Sequence, residues 1–162
     1  MHLSTPNPQR SQRGFTIVEL MIAVVVIGVI AALALPSFLD SIRKGRRSEA
    51  LSALSAIQQA QERYRSNNRN YAGALTDIGY ASASVTTRPG EYYTVQVSTD
   101  SATSATRYVA TADGSASGQA GDGQCAKLGV EVNRGEIRYA SCNSSCTFTA
   151  SSFTRSNPCW SR

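Results

Sequence analysis

At 162 residues, with 41% hydrophobic and 17% charged side chains, the chain is long enough for one ordinary domain, too short for two, and too apolar for disorder throughout. The formal charge of +5 falls to +3 once the first fourteen residues are set aside, because Arg10 and Arg13 leave and no acid goes with them. So small an excess does not by itself argue for nucleic acid.

Residues 1–13 are polar, with Pro6, Pro8, Arg10 and Arg13, and read as a short cytoplasmic leader ending at Gly14. From Phe15 to Leu39 run 25 residues in which Glu19 is the sole charge. About 20 apolar residues suffice to cross a bilayer as a helix, so this segment can span. A secretory signal would have a shorter apolar region and a small-residue cleavage site beyond it, whereas here the hydrophobic run flows into more helix. Residues 40–67 keep a helical period. Ala50, Ala53, Ile57, Ala60 and Tyr64 recur every three or four positions with Leu51 and Leu54 beside them, and Arg46, Arg47, Gln59, Glu62, Arg63 and Arg65 populate the other side. Asn67, Asn68 and Asn70 mark the helix end. A helix of about 50 residues is near 75 Å long, so much of it must be held by membrane or by other subunits.

Residues 68–90 read as a connecting loop with a short helical turn near Ala74 to Ile78. Over 91–141 alternation takes over: Glu91 to Ser98, Thr106 to Ala112, Ala126 to Val132 and Glu136 to Ser141 each put apolar side chains on one face. Four such strands predict an antiparallel sheet and an α+β fold, a long N-terminal helix packed on the sheet. If Val132 and Ile137 share a face, the register sets Cys142 opposite Lys127. The Asp113 to Gly123 stretch, rich in Gly and Ser, reads as a solvated flexible loop that matches no calcium-binding spacing.

Cys125, Cys142, Cys146 and Cys159 all lie in the last 38 residues, and the only histidine is His2. The spacing lacks the paired CxxC knuckles of a structural zinc site, so no metal is expected; disulfides formed in an oxidising compartment are. Three pairings are open. No nucleophile with a base, no paired acids and no phosphate loop appear, so neither enzymatic activity nor a cofactor is expected.

The stretch Arg13-Gly14-Phe15-Thr16-Ile17-Val18-Glu19-Leu20 resembles the prepilin processing site of the type IV pilin family, which includes the pseudopilins of type II secretion. Members share a basic leader ending in Gly, a new N-terminal Phe that becomes methylated, and a Glu at the fifth mature position. Here these are Gly14, Phe15 and Glu19, and Gly28 and Pro36 stand where the family also carries a Gly and a Pro. The resemblance implies the type IV pilin fold and a structural filament subunit serving adhesion, twitching motility or DNA uptake. The implied partners are other pilin subunits, a prepilin peptidase and the assembly machinery, and the inner membrane, spanned once with the C-terminal domain in the periplasm before export to the pilus. It implies cleavage between Gly14 and Phe15, an assembly role for Glu19, and a hinge between Gly28 and Pro36.

The physics agrees at Glu19. A carboxylate deep in an apolar helix is costly and usually paired, and cleavage creates a cationic amine one helical turn away. The count of positive charges argues the other way on orientation, since Arg43, Lys44, Arg46 and Arg47 outnumber Arg10 and Arg13; that cluster reads as a solvated face. Cys159-Trp160 near the terminus and Gly121-Asp122 before Cys125 look like the pilins of the PilE-like group, which implies Cys125 with Cys159, closing the C-terminal disulfide-bonded loop over 142–162, and leaves Cys142 with Cys146 across the turn-prone Asn143-Ser144-Ser145. Two other readings share the N-terminus. One is a DNA-receptor pilin using Arg88, Arg107, Lys127, Arg134 and Arg138, with DNA as partner. The other is a secretion pseudopilin, whose usual C-terminal calcium-binding features are absent. A plain single-pass anchor would show no cleavage.

Overall fold

The computed structural model describes residues 14–116 and 118–160; the leader with His2, Arg10 and Arg13 lies outside the described residues. The chain divides into a unit ending at Leu39 and a unit beginning at Asp40. Helix α1 covers Ile17–Asn67, and five strands follow: β1 (Ser84–Thr86), β2 (Thr94–Ser98), β3 (Arg107–Asp113), β4 (Lys127–Asn133) and β5 (Glu136–Cys142). They form one antiparallel sheet in the order β1-β2-β3-β4-β5.

The architecture is the expected α+β one, with one strand more than the four read from alternation. β1 lies inside the stretch read as a connecting loop, and its three residues offer too little alternation to mark it. The next strand also starts later than expected, at Thr94 instead of Glu91, because Glu91 adopts a left-handed φ of 55° and turns the chain before the ladder begins. The anticipated helical turn is a short 3₁₀ turn at Leu75–Ile78, closed by Gly79 at φ 93°.

Within the Asp40–Arg162 unit, α1 buries Ala50, Leu54 and Ile57 against inward side chains of the sheet, among them Val95, Tyr108, Leu128 and Val130. The spacing of these helix positions is the 3.6-residue stripe expected of a one-sided amphipathic helix. The stripe continues through a residue no hydrophobic pattern would reveal. Gln61 is fully buried, its amide Nε2 donating to the Ala72 carbonyl at 3.0 Å and its Oε1 accepting from Ala72 N at 2.9 Å. Both polar ends are satisfied, so the burial is tolerated and pins the chain where it leaves the helix.

The β4–β5 register pairs Val132 with Ile137 and Lys127 with Cys142. Beyond β5 the chain becomes an arm that rounds the sheet edge. Phe148 and Phe153 lie tilted against each other with centroids 5.7 Å apart, over the outer face at Gly129, where a Cβ would lie 3.2 Å from each ring. A glycine there is what lets the two rings approach the strand. Thr154 then bridges Tyr139, occupying the β5 edge, and Trp160 returns to the helix side, its ring 4.6 Å from that of Tyr139 and its Nε1 donating to the Ala140 carbonyl. Cys125 is bonded to Cys159 and Cys142 to Cys146.

Candidate functional site

In the N-terminal unit Gly14, Phe15 and Thr16 precede the helix, and Glu19 lies in its first turn. The backbone N–H of Glu19 donates to Thr16 Oγ1 at 3.2 Å, so the Thr side chain caps the helix at the spacing of a capping box. The capping role of Thr16 was readable from Thr-x-x-Glu, a signal masked by the stronger motif around it. Phe15, Ile17, Leu20, Ile22, Ile27 and Leu33 are each at least 60% exposed, a surface of apolar side chains with one carboxylate. This helix is long and apolar enough to cross a membrane. Gly28 and Pro36 are both helical, so the local weakness expected between them leaves no break in α1.

In the second unit the basic cluster of α1 departs from a solvated face. Arg47 forms a two-pronged ion pair with Asp122, Nε donating to Oδ2 at 2.6 Å and Nη2 to Oδ1, with Asp122 almost wholly buried. This bond pushes the Arg47 guanidinium above its ordinary value. Gln119, fully buried, donates to the Tyr93 hydroxyl at 3.1 Å and toward Asp122 at 3.4 Å. Burial in turn pushes the Tyr93 phenol up. The Gly- and Ser-rich loop is therefore docked on α1 through Gln119 and Asp122, where composition pointed to a solvated stretch. Nearby, Arg46 lies over the Tyr92 ring at 4.3 Å, and Glu49 accepts from Gly90 N at 3.0 Å and Thr87 Oγ1 at 3.2 Å. These contacts fasten the loop before β2 to the helix.

The five cations picked out for nucleic acid do not form one patch of free charge. Arg107 donates to the buried Glu131 at 2.5 Å, and Lys127 pairs with Asp113 at 3.1 Å. Arg88 stands apart, 3.9 Å from Glu91. Arg134 is exposed at the β4–β5 turn with φ 53°, followed by Gly135 at φ 83°, the pattern of a tight two-residue hairpin. Close by, Arg138 and Arg155 share one carboxylate, Glu136, at 2.6 and 2.8 Å. Bonds first from Arg138 and then from Arg155 hold the Glu136 carboxyl below its usual value. Around Glu136 three cations, Arg134, Arg138 and Arg155, thus meet one carboxylate, with the Arg107–Glu131 pair beside Arg138. Arg155 comes there because the arm pairs with β5, a long-range contact with no local sequence signal. Among the described residues no group of His, Cys, Asp and Glu could hold a metal ion.

A long apolar-to-amphipathic helix, an antiparallel sheet on its second half, and a C-terminal arm closed by disulfides define a type IV pilin-like protein. Comparison with known families is more particular: residues 36–129 match the model described as type IV minor pilin ComP, DNA uptake sequence receptor, and residues 9–35 match the prokaryotic N-terminal methylation motif. The chain belongs to the type IV minor pilin ComP family. Among individual proteins it is similar to the type IV major pilin protein PilA of Myxococcus xanthus, 40% identical over 81 residues, covering 50% of this chain and 36% of that one. It is 31% identical over 81 residues to the type II secretion system core protein G of Dickeya chrysanthemi, covering 50% and 53%. It is 36% identical over 73 residues to the fimbrial protein of Neisseria meningitidis, covering 45% and 43%. The matches span from about a third to about half the length of these relatives.

Proposed function

We propose that this chain is a structural subunit of a type IV pilus, cut between Gly14 and Phe15, methylated on Phe15, and polymerised with other pilins through α1. The observation that carries the reading is the exposed apolar surface from Phe15 to Leu39, interrupted by Glu19 alone. Before assembly this surface is held in the inner membrane, crossed once with the second unit in the periplasm. Processing by a prepilin peptidase frees a cationic amine at the start of α1. An amine at that end of a helix is unfavourable against the helix dipole, and a carboxylate in the first turn offsets it. Glu19 is placed to meet that amine on a neighbouring subunit, and Gly28 and Pro36 mark the stretch able to yield as helices pack. Mass spectrometry of the sheared surface fraction tests this. A chain beginning at methylated Phe15 supports it, and an uncut Met1 terminus refutes it.

A second reading, reception of DNA by the exposed domain, is supported by the description of the matching family and by the cations around the β4–β5 turn. It replaces the five-residue set with Arg134, Arg138 and Arg155, whose charge Glu136 only partly offsets. Binding to duplex DNA should weaken steeply with salt, and Arg134→Ala should reduce the slope of log affinity against log salt by about 1. Absence of binding at low salt would remove this reading and leave the filament role intact.

A further inference from the structure

The arm covers the outer sheet face over β4 and stops short of β2 and β3. The step between them is a cavity of about 470 Å³, within the range usual for small-molecule sites. Its wall is the arm, with the half-buried Phe148 ring, and its floor is the outward side of the central strands. The register sets Gln96 beside Thr111 and Thr94 beside Asp113. The hydroxyls of Thr94 and Thr111, both half-buried, have no hydrogen-bond partner among the described residues, and Gln96 uses one amide hydrogen, on Ser84 Oγ at 3.3 Å. Donors and acceptors therefore converge on the space with capacity unused.

The charge of the floor narrows the ligand. Lys127 is neutralised by Asp113 at 3.1 Å at one end and Arg107 by Glu131 at 2.5 Å at the other. The lining carries two cations, Arg107 and Lys127, and two carboxylates, Asp100 and Asp113, with Glu131 behind Arg107 outside it. A phosphate or carboxylate ligand would find no uncompensated cation and would meet acids. A neutral ligand rich in hydroxyls finds hydroxyl and amide partners between two charged ends that strengthen its hydrogen bonds, and a ring wall for an apolar face. We propose that this cavity binds a neutral saccharide of one or two rings, its C–H face on Phe148 and its hydroxyls on Gln96, Thr111 and the flanking ion pairs. The site stands on the cavity alone and is separate from both the assembly helix and the cationic hairpin.

Saturation-transfer NMR on the full chain in a zwitterionic, sugar-free detergent tests it, with the neutral disaccharides lactose, maltose and N,N'-diacetylchitobiose as probes. At least one disaccharide should receive saturation, and affinity should fall about fivefold or more in Gln96→Ala/Thr111→Ala. Gln96 is exposed, so Gln96→Arg provides a second variant that keeps the fold and should also remove binding by placing an unpaired cation in the floor. No transfer to any of the three sugars, or transfer unchanged in both variants, overturns the proposal. Displacement of the sugar by an equimolar duplex oligonucleotide would assign the cavity to nucleic acid and overturn it as well.

Discussion

Glu19 combines two electrostatic tasks at one position: it lies in the first turn of α1, where negative charge favours the helix, and it is the one carboxylate on an otherwise apolar surface. Replacing it with Ala should leave processing at Phe15 intact while sharply reducing filament yield, read from the N-terminal mass and from the amount of sheared protein. Normal yield would separate the cut from assembly. Ordinary carboxylates elsewhere set the acid limit of the second unit. At Asp113 burial pushes the carboxyl up, but bonds from Ser115 Oγ and N and from Lys127 outweigh it and hold the group below its ordinary value. A depressed folded-state value stabilises the fold above the usual carboxylate range and is lost as pH falls through it. Glu136 acts in the same direction through its two arginines. The melting temperature should thus be flat from about pH 7 to pH 5 and decline below, and Ser115→Ala/Lys127→Ala should shallow that decline. At this scale the N-terminal residues stood out in the sequence because the methylation motif matched over residues 9–35 sets particular side chains at fixed spacing. Arg47, Gln119 and Asp122 did not, because residues 75 positions apart reveal their pairing only through the fold.

The helix and four of the strands announce themselves by period, since each buries one face in a shared core and must repeat its apolar positions every 3.6 or 2 residues. β1 escapes because three residues cannot establish a period, and the arm escapes because it is held by side chains from elsewhere: rings on Gly129, one bridge to β5, and two disulfides. The arm's attachment yields an ordering of stabilities. Cys125–Cys159 encloses a separation of 34 residues and Cys142–Cys146 one of 4. Loop-closure entropy then assigns the first about 4 kcal/mol and the second about 2. Denaturant unfolding of Cys125→Ser/Cys159→Ser and Cys142→Ser/Cys146→Ser, compared with the parent, should show the larger loss in the first. Equal losses would mean that local contacts of the arm, and not chain closure, dominate.

For the molecule as a whole, the two units place opposite demands on solvent. The second has its own core, from Ala50 to Cys159, whereas among the described residues of the first the large apolar side chains from Phe15 to Leu39 are exposed. A fragment of residues 40–162 should therefore remain folded and monomeric without detergent, while the chain from Phe15 should need lipid, detergent or polymerisation; sedimentation of both, with and without detergent, checks this. The Cys125–Cys159 bond has a further, mechanical meaning. Its two Cα atoms are 5.7 Å apart although 34 residues separate them in sequence, and that stretch pulled straight would reach about 115 Å. Tension entering through α1 and leaving beyond Trp160 would pass through the sulfur bridge, so β4, β5 and the arm would bear no load even after the rest of the sheet had yielded.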